Sequence, residues 1–369
     1  MSGEEEQRMK VFLFGYYGFQ NTGDEAILEV IVEQLKKSIN DVEITAMTYK
    51  AKDTEDKYNI KAVSRNDFTK VLRAIKESDI VISGGGSILQ DVTSSRSLIY
   101  YLAIVYVAKK MGKKVMFYGN GFGPVKNTIN RRLAAYVINN VDSITVRDFE
   151  SKELMKSIGV NKNITVTGDT AFNLQLLDQH LIDIILQQED ISKEKRLIGI
   201  SVRSWKEEAH KEVVAQIADY LNKMNYQVIF IPMQYPDDIK ISYEIAAMMG
   251  TKAKILDKYY TPKEILSIIS SFHLLIGMRL HALIFAAIAL VPMVGLEYDP
   301  KINSFLKIVS QQNGGNVEKL DFIHLCTIIE GVLNNRESYI EKLKKAKEAM
   351  KQKTEMNLQI LQQLVKEGE

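Results

Sequence analysis

Residues 277–301 read GMRLHALIFAAIALVPMVGLEYDPK. The apolar run Leu274-Leu275-Ile276 just before them has the look of a short buried strand. An apolar helix is expected over residues 282–290, Pro292 ends it, and residues 293–296 (MVGL) make the next strand. Glu297-Tyr298-Asp299-Pro300-Lys301 is the loop beyond. A strand, helix, strand unit with titratable groups only at its ends belongs in an open parallel sheet, where ligands bind at the carboxyl ends of the strands. Arg279, His281, Glu297, Asp299 and Lys301 all fall at such an edge. Arg and Lys suit a multiply charged anion, His suits proton transfer near neutral pH, and a helix N-terminus favours negative charge. The plainer reading is that any such unit is apolar with solvated charges at its ends, and that a His there packs with one hydrogen bond. The Met-Arg-Leu-His start weighs against it, because it sets two functional side chains at i and i+2 before a long apolar helix.

Working outward, the same alternation recurs. Residues 196–202 (RLIGISV) form a strand ending at Arg203-Ser204-Trp205, followed by a helix over 211–224, a strand over 227–231, a helix over 238–249 and a short strand over 254–256. Thr261-Pro262-Lys263-Glu264 is a helix start, with Thr as cap and Pro in the first turn. Near the start of the chain, residues 10–14 (KVFLF) form a strand that runs into a glycine-punctuated loop, and a helix follows over 24–38. Asn21 or Thr22 caps that helix, and Asp24 and Glu25 suit its positive end. The loop carries neither G-x-G-x-x-G nor G-x-x-x-x-G-K-[ST]. A glycine turn between strand and helix is common in itself; its functional reading has Asn21, Asp24 and the tyrosines binding a neutral polar acceptor such as a sugar. Further strands at 42–48, 79–83, 114–118, 143–148 and 164–166 include two that end in glycine-rich turns, Gly84-Gly85-Gly86-Ser87 and Gly119-Asn120-Gly121-Phe122-Gly123-Pro124.

The expected fold class is α/β, with two Rossmann-like domains over residues 10–178 and 196–322. A disordered leader over 1–9, a linker over 179–195 and a helical C-terminal segment over 323–369 complete the organisation, with a ligand cleft between the halves. The chain of 369 residues has 46% apolar and 25% charged residues, a globular composition. Its 48 Lys plus Arg against 46 Asp plus Glu leave a net charge of +2, which argues against bulk nucleic-acid binding. The one cysteine, Cys326, rules out a disulfide framework within the chain and speaks against a cysteine metal site. The acidic start is no signal peptide, and no uncharged apolar run reaches the ~20 residues of a membrane span. A cytoplasmic protein is expected.

An ordered set of short motifs carries a resemblance. The pieces are Gly15-Tyr16-Tyr17-Gly18, Asn21-Thr22-Gly23-Asp24-Glu25, Ser83-Gly84-Gly85-Gly86, the 119–124 turn, Val146-Arg147-Asp148, Thr167-Gly168-Asp169, Val202-Arg203, Gly277-Met278-Arg279-Leu280-His281 and Tyr298-Asp299-Pro300-Lys301. In this order, over roughly residues 10–310, the chain resembles the polysaccharide pyruvyl transferase family, of the CsaB type that makes pyruvylated cell-wall precursors used in S-layer anchoring. The resemblance implies a GT-B-like architecture with two facing Rossmann-like domains. It also implies transfer of an enolpyruvyl unit from phosphoenolpyruvate to a sugar, giving a 4,6-ketal and phosphate. The acceptor it implies is N-acetylmannosamine (ManNAc) in a lipid-diphosphate-linked disaccharide.

That chemistry needs cations for a donor bearing both phosphate and carboxylate, and Arg147, Arg203, Arg279 and Lys301 are the candidates. His281 is the candidate general acid, for the methylene carbon or the leaving phosphate, and Asp24 or Asp169 the base for the attacking hydroxyl. A carboxylate at a strand end is as often a cap or turn residue. Tyr16, Asn21, Asp24, Gly85 and Gly86 are the expected acceptor-side residues. No step calls for a metal or redox cofactor, and phosphoenolpyruvate is a co-substrate. Two alternatives stand beside this reading: a nucleotide-sugar glycosyltransferase, with Glu297 on the ribose, and a non-catalytic glycan-binding module. The Lys-rich stretch 336–353 suits contact with anionic lipid of the inner leaflet, or simply a solvated helix packed across the domains.

Overall fold

The computed structural model describes residues 8–92, 94–192 and 194–366. Two parallel sheets dominate it. The first is built from β1 (Met9–Phe14), β2 (Val42–Thr48), β3 (Lys61–Ser64), β4 (Ile80–Gly84), β5 (Lys114–Asn120), β6 (Ser143–Val146) and β7 (Thr165–Val166), in the order β3-β2-β1-β4-β5-β6-β7. The second contains β8 (Leu197–Ser201), β9 (Gln227–Phe230), β10 (Lys254–Ile255), β11 (Phe272–Gly277), β12 (Met293–Glu297) and β13 (Gln312–Asn316), in the order β10-β9-β8-β11-β12-β13. Both wind outward from a central strand, then return beside it and continue the other way. The reversal opens a crevice at the carboxyl ends of β1 and β4 in one sheet and of β8 and β11 in the other.

The central strands are apolar on both faces because helices cover both. In β1 the last four residues, Val11 to Phe14, are all buried. Phe12, Phe14, Val81, Val115 and Phe117 share one core with Leu98, Leu102 and Val105 of the helix Ser95–Lys110. In the second sheet Ile198, Ile200, Val228, Phe230, Leu274 and Ile276 pack with Val214, Ile217, Ala218 and Leu221 of the helix His210–Lys223. Each of the buried Val, Leu, Ile and Phe side chains contributes about 1.5–3 kcal/mol of transfer free energy. The helix Pro262–Ser270 begins as expected, in a capping box: Glu264 N donates to Thr261 Oγ1 (3.3 Å) and Thr261 N to Glu264 Oε2 (2.7 Å).

The chain divides into two compact units that do not follow its sequence halves. One comprises the chain up to Phe19, Asp24–Asn173 and the residues from Met350 on; the other Gln20–Gly23 and Leu174–Ala349. The α/β class, the two Rossmann-like sheets and the helical C-terminal segment, Phe322–Asn334 and Arg336–Lys366, are as expected from the sequence. The boundaries differ. Most of the expected leader, residues 1–7, lies outside the described residues, and Met9 already pairs in β1 with Val42. The first domain ends at Asn173 rather than 178. The expected linker holds the helix Gln179–Gln188, whose Ile182, Ile185 and Leu186 are buried. Its glutamine-rich sequence disguised that apolar stripe. The last helix is not a separate appendage: its residues from Met350 on pack in the first unit, where buried Asn357 Oδ1 accepts hydrogen bonds from the Thr145 and Thr167 hydroxyls. Its earlier turns pack in the second unit, where Lys347 donates to Ile288 O (2.6 Å). No helix among the described residues is long and apolar enough to cross a membrane.

Candidate active site

In the second unit the cations gather on three adjacent strand ends. Arg203 follows β8, Arg279 and His281 follow β11, and Tyr298 and Lys301 follow β12. Arg279 is the N-cap residue of the helix Leu280–Ile288, so His281 lies in its first turn, where backbone N–H groups have no partner within the helix. Arg203 Nη1 donates to the Tyr298 hydroxyl (3.3 Å), and its guanidinium carbon lies 4.8 Å from the Tyr298 ring centre. Lys301 Nζ is 5.5 Å from that ring centre and 3.5 Å from Asp299 Oδ2. Trp205 packs against Tyr298 with ring centres 5.0 Å apart. Burial works to raise the Tyr298 pKa, but Lys301, Arg203 and Arg279 outweigh it and lower the phenol below its ordinary 10.0.

Arg279 is held by a residue that sequence reasoning did not single out. Asp238, 1% exposed, receives Arg279 Nε on Oδ2 (2.9 Å) and Nη2 on Oδ1. The same Oδ2 accepts the backbone N–H groups of Met233 and Gln234, each at 3.0 Å. Burial opposes the charge on Arg279, and Asp238 more than offsets it, so the pKa is raised. Asp237-Asp238 just after Pro236, opening the helix Asp237–Met248, was the available signal. On the other side, Thr22 N donates to Met233 O (2.8 Å) and Tyr235 N to Gln20 O (3.1 Å), which ties residues 20–23 into this unit. Gly23 then lies flat on His281: a Cβ there would stand 1.9 Å from the ring's Nδ1. His210 (1% exposed) donates from its Nε2 to Arg203 O (3.1 Å); burial lowers its pKa.

The first unit collects a different group. Arg147, 8% exposed, follows β6 and meets Asp148 Oδ2 (3.1 Å), Asp169 Oδ2 (3.5 Å) and Ser87 Oγ (2.9 Å). Burial opposes its charge, but Asp148, Asp169 and Asp24 outweigh that and raise its pKa. Asp169 also accepts from Ala171 N (3.1 Å). Gly85 and Gly86 have φ of +69° and +68°, a turn closed by Asn120 Nδ2 on Gly85 O (3.1 Å) and Gly121 N on Gly86 O (2.9 Å). A Cβ on Gly86 would stand 2.7 Å from Asp24 Oδ1, so the glycine gives that carboxylate its room. Asp24, the glycine turn, Arg147 and Asp169 thus converge at the carboxyl ends of β1, β4, β6 and β7.

The candidate residues divide between the units. Arg203, Arg279, Lys301 and His281 assemble in the second, with Tyr298 and Asp238 added. Arg147, expected on the donor, belongs to the first unit, enclosed by carboxylates, together with Asp24, Asp169, Gly85, Gly86 and Tyr16. Asn21, expected on the acceptor side, belongs to the second: its Oδ1 accepts from Gly23 N (3.1 Å) as a helix cap and its Nδ2 donates to Gln234 Oε1 (2.8 Å). Tyr16 is stacked on Phe19. Glu297, the residue weighed for a ribose, accepts from Asn313 Nδ2 (2.7 Å).

Known proteins bear on this geometry. The amylovoran biosynthesis protein AmsJ of Erwinia amylovora is 24% identical over 405 residues, spanning 92% of this chain and 96% of that one. Among solved structures, HepE of Anabaena in complex with UDP-glucose is similar with a TM-score of 0.67 at 12% identity, over 98% of this chain and 100% of that one. UDP-GlcNAc 2-epimerase of Neisseria meningitidis is similar with a TM-score of 0.65 at 16% identity, over 96% of this chain and 100% of that one. These two likenesses concern the fold, which is the GT-B-like class. The family model described as polysaccharide pyruvyl transferase matches residues 21–300, a span that starts in the Asn21 turn and closes on the Tyr298 loop. The chain belongs to the polysaccharide pyruvyl transferase family.

Proposed function

We propose that this chain transfers pyruvate from phosphoenolpyruvate to a sugar of a lipid-diphosphate-linked cell-wall precursor, ManNAc as a 4,6-ketal, and releases phosphate. The observation that carries the reading is the gathering of Arg203, Arg279, Lys301 and the phenol of Tyr298 beside His281 at a helix N-terminus. A small ligand with a phosphate and a carboxylate fits such a group of guanidinium, ammonium and helix N-terminal N–H donors, in which Asp238 pairs with Arg279 and Asp299 with Lys301.

The roles follow from charge. His281 gives a proton to the methylene carbon of the donor, which makes C2 electrophilic. A sugar hydroxyl attacks C2 and surrenders its proton to a carboxylate. Phosphate leaves with the electron pair of the C2–O bond, its charge held by the arginines and lysine. The second hydroxyl closes the ketal and loses its own proton. Asp24 and Asp169 are the two candidate bases, and both act on the charge of Arg147. A lipid-linked acceptor would bring the enzyme to the cytoplasmic face of the membrane, and the Lys-rich turns of Arg336–Lys366 fit that location.

The test is phosphate release from phosphoenolpyruvate with and without a β-ManNAc-(1→4)-GlcNAc diphospholipid analogue. Acceptor-dependent release, lost in His281→Ala with unchanged circular dichroism, is the expected result. Turnover of a nucleotide sugar without any phosphate release would move the chain to the glycosyltransferases. Release that survives His281→Ala would remove His281 from the role of acid.

A further inference from the structure

A stack of aromatic rings stands on the carboxyl edge of the first sheet, and of its members only Tyr16 was nominated from the sequence. Tyr16 and Phe19, in the loop after β1, lie with ring centres 4.1 Å apart and planes within 8°. Phe19 and Tyr49, the residue after β2, lie 4.8 Å apart within 17°. Two near-parallel neighbours at such distances cover both faces of Phe19, so Tyr49 ends the stack, and it is 50% exposed. Arg65, the residue after β3, fixes the middle ring: its guanidinium carbon is 5.2 Å from the Phe19 centre, 4.8 Å from Tyr100 and 5.6 Å from Tyr101. Arg65 is itself pinned, with its N–H on Thr48 O (2.9 Å) and its carbonyl accepting the Tyr100 hydroxyl (2.9 Å). Phe68, 64% exposed, extends the surface edge-on to Tyr100.

Hydrophobic collapse tends to bury such rings, and a contiguous stack left half open at a sheet edge has the character of a binding surface. Its position says for what. Ligands of such sheets bind where the strand order reverses, at the ends of β1 and β4, and there Asp24 and Gly86 meet. The stack leads away from that point, from β1 to β2, one strand spacing of about 4.8 Å. A flat apolar face with a phenol and a guanidinium at its rim matches a pyranose ring, which is apolar on its C–H faces and polar around its edge. Pre-stacked tyrosine has little rotamer freedom left to lose on binding.

We propose that the Tyr16–Phe19–Tyr49 stack is a second-sugar subsite, in which Tyr49 carries the pyranose ring next to the one that is modified. This rests on the reading of the chain as a transferase acting on a glycan. It predicts that the enzyme selects a disaccharide or longer acceptor through an apolar face, and that Arg65 acts by positioning Phe19.

Two measurements on the full chain test it. In the phosphate-release assay, Tyr49→Ala is expected to raise KM about tenfold for a β-ManNAc-(1→4)-GlcNAc acceptor, equivalent to one aromatic contact. The kcat and the KM for phosphoenolpyruvate stay unchanged, a ManNAc monosaccharide acceptor is unaffected, and Tyr49→Phe behaves as wild type. Saturation-transfer NMR with the free disaccharide is expected to show contact to aromatic protons that Tyr49→Ala abolishes. An unchanged disaccharide KM and NMR contact would overturn the subsite, as would an equal rise in the donor KM or displacement of the disaccharide by UDP alone. If wild type releases no phosphate yet the NMR contact depends on Tyr49, the subsite stands and the transfer reaction falls; turnover without that dependence has the opposite meaning.

Discussion

Asp238 holds two backbone N–H groups and the fork of Arg279 with one buried carboxylate. Asp238→Ala leaves a charged guanidinium and two amides without their acceptor, and breaking such a buried pair costs about 3–5 kcal/mol. Urea unfolding should show a loss of that order, and the KM for phosphoenolpyruvate should rise because Arg279 loses its aim. Tyr298 answers to its cations instead. With Lys301, Arg203 and Arg279 lowering its pKa, Tyr298 should be among the first phenols to ionise as the pH rises. An alkaline titration at 295 nm should lose that early step in Tyr298→Phe. In Arg203→Gln the step should move to higher pH, since removing a cation disfavours the phenolate. An unchanged curve in both variants would refute the cation cradle.

At the scale of elements, the contact between Gly23 and His281 joins a helix start from one part of the sequence to a catalytic candidate in another. A methyl group at position 23 cannot share space with a ring atom 1.9 Å away. Gly23→Ala should therefore cut turnover at least tenfold by displacing the imidazole, with far-ultraviolet circular dichroism unchanged. The strand and helix around His281 were legible because nothing but a buried unit explains seven consecutive buried residues from Ala282 on interrupted by no charge. Three other elements were not. The helix Ala51–Tyr58 (AKDTEDKY) buries only Thr54 and Tyr58, so its sequence has no apolar stripe to read. β3 is four residues long, and β13 is Gln-Asn-Gly-Gly-Asn, a sequence without β propensity that holds its place as an edge strand by pairing with β12. The site was legible at strand ends and illegible across them. Arg279 could be nominated from its neighbours, but Asp238, 41 residues away, appears only once β9 and β11 lie in one sheet. Tyr16 was nominated for a sugar; its stacking on Phe19, and through Phe19 on Tyr49, depends on β1 and β2 pairing in register.

The stability of the whole chain should carry an acid signature. Glu189, just after the helix Gln179–Gln188, is 2% exposed and accepts from Lys258 (2.8 Å), Lys254 (2.9 Å) and the Tyr260 hydroxyl (2.5 Å). Burial alone would raise its pKa, but these partners bring it down from 4.5 to about 2. The folded value is the lower one, so the contribution is fully present above pH 4.5 and disappears as the pH falls through about 2. Acid unfolding should steepen in that window for wild type and lose the extra slope in Glu189→Gln, which should also be less stable at pH 7.

The last helix sets an order of events for a growing chain. The Thr145 and Thr167 hydroxyls both meet the side-chain oxygen of Asn357, which is encoded 190 residues after Thr167. A ribosome adding 5–20 residues per second needs roughly 10–40 s to deliver it. Until then the first sheet has left the exit tunnel with the face taken by residues from Met350 on uncovered, and the Thr145 and Thr167 hydroxyls have only their backbone partners in the first unit, Phe117 O and Val146 O. The nascent protein therefore has a waiting period that ends only when its final turns are translated, and a message cut short before residue 350 would yield no finished first unit.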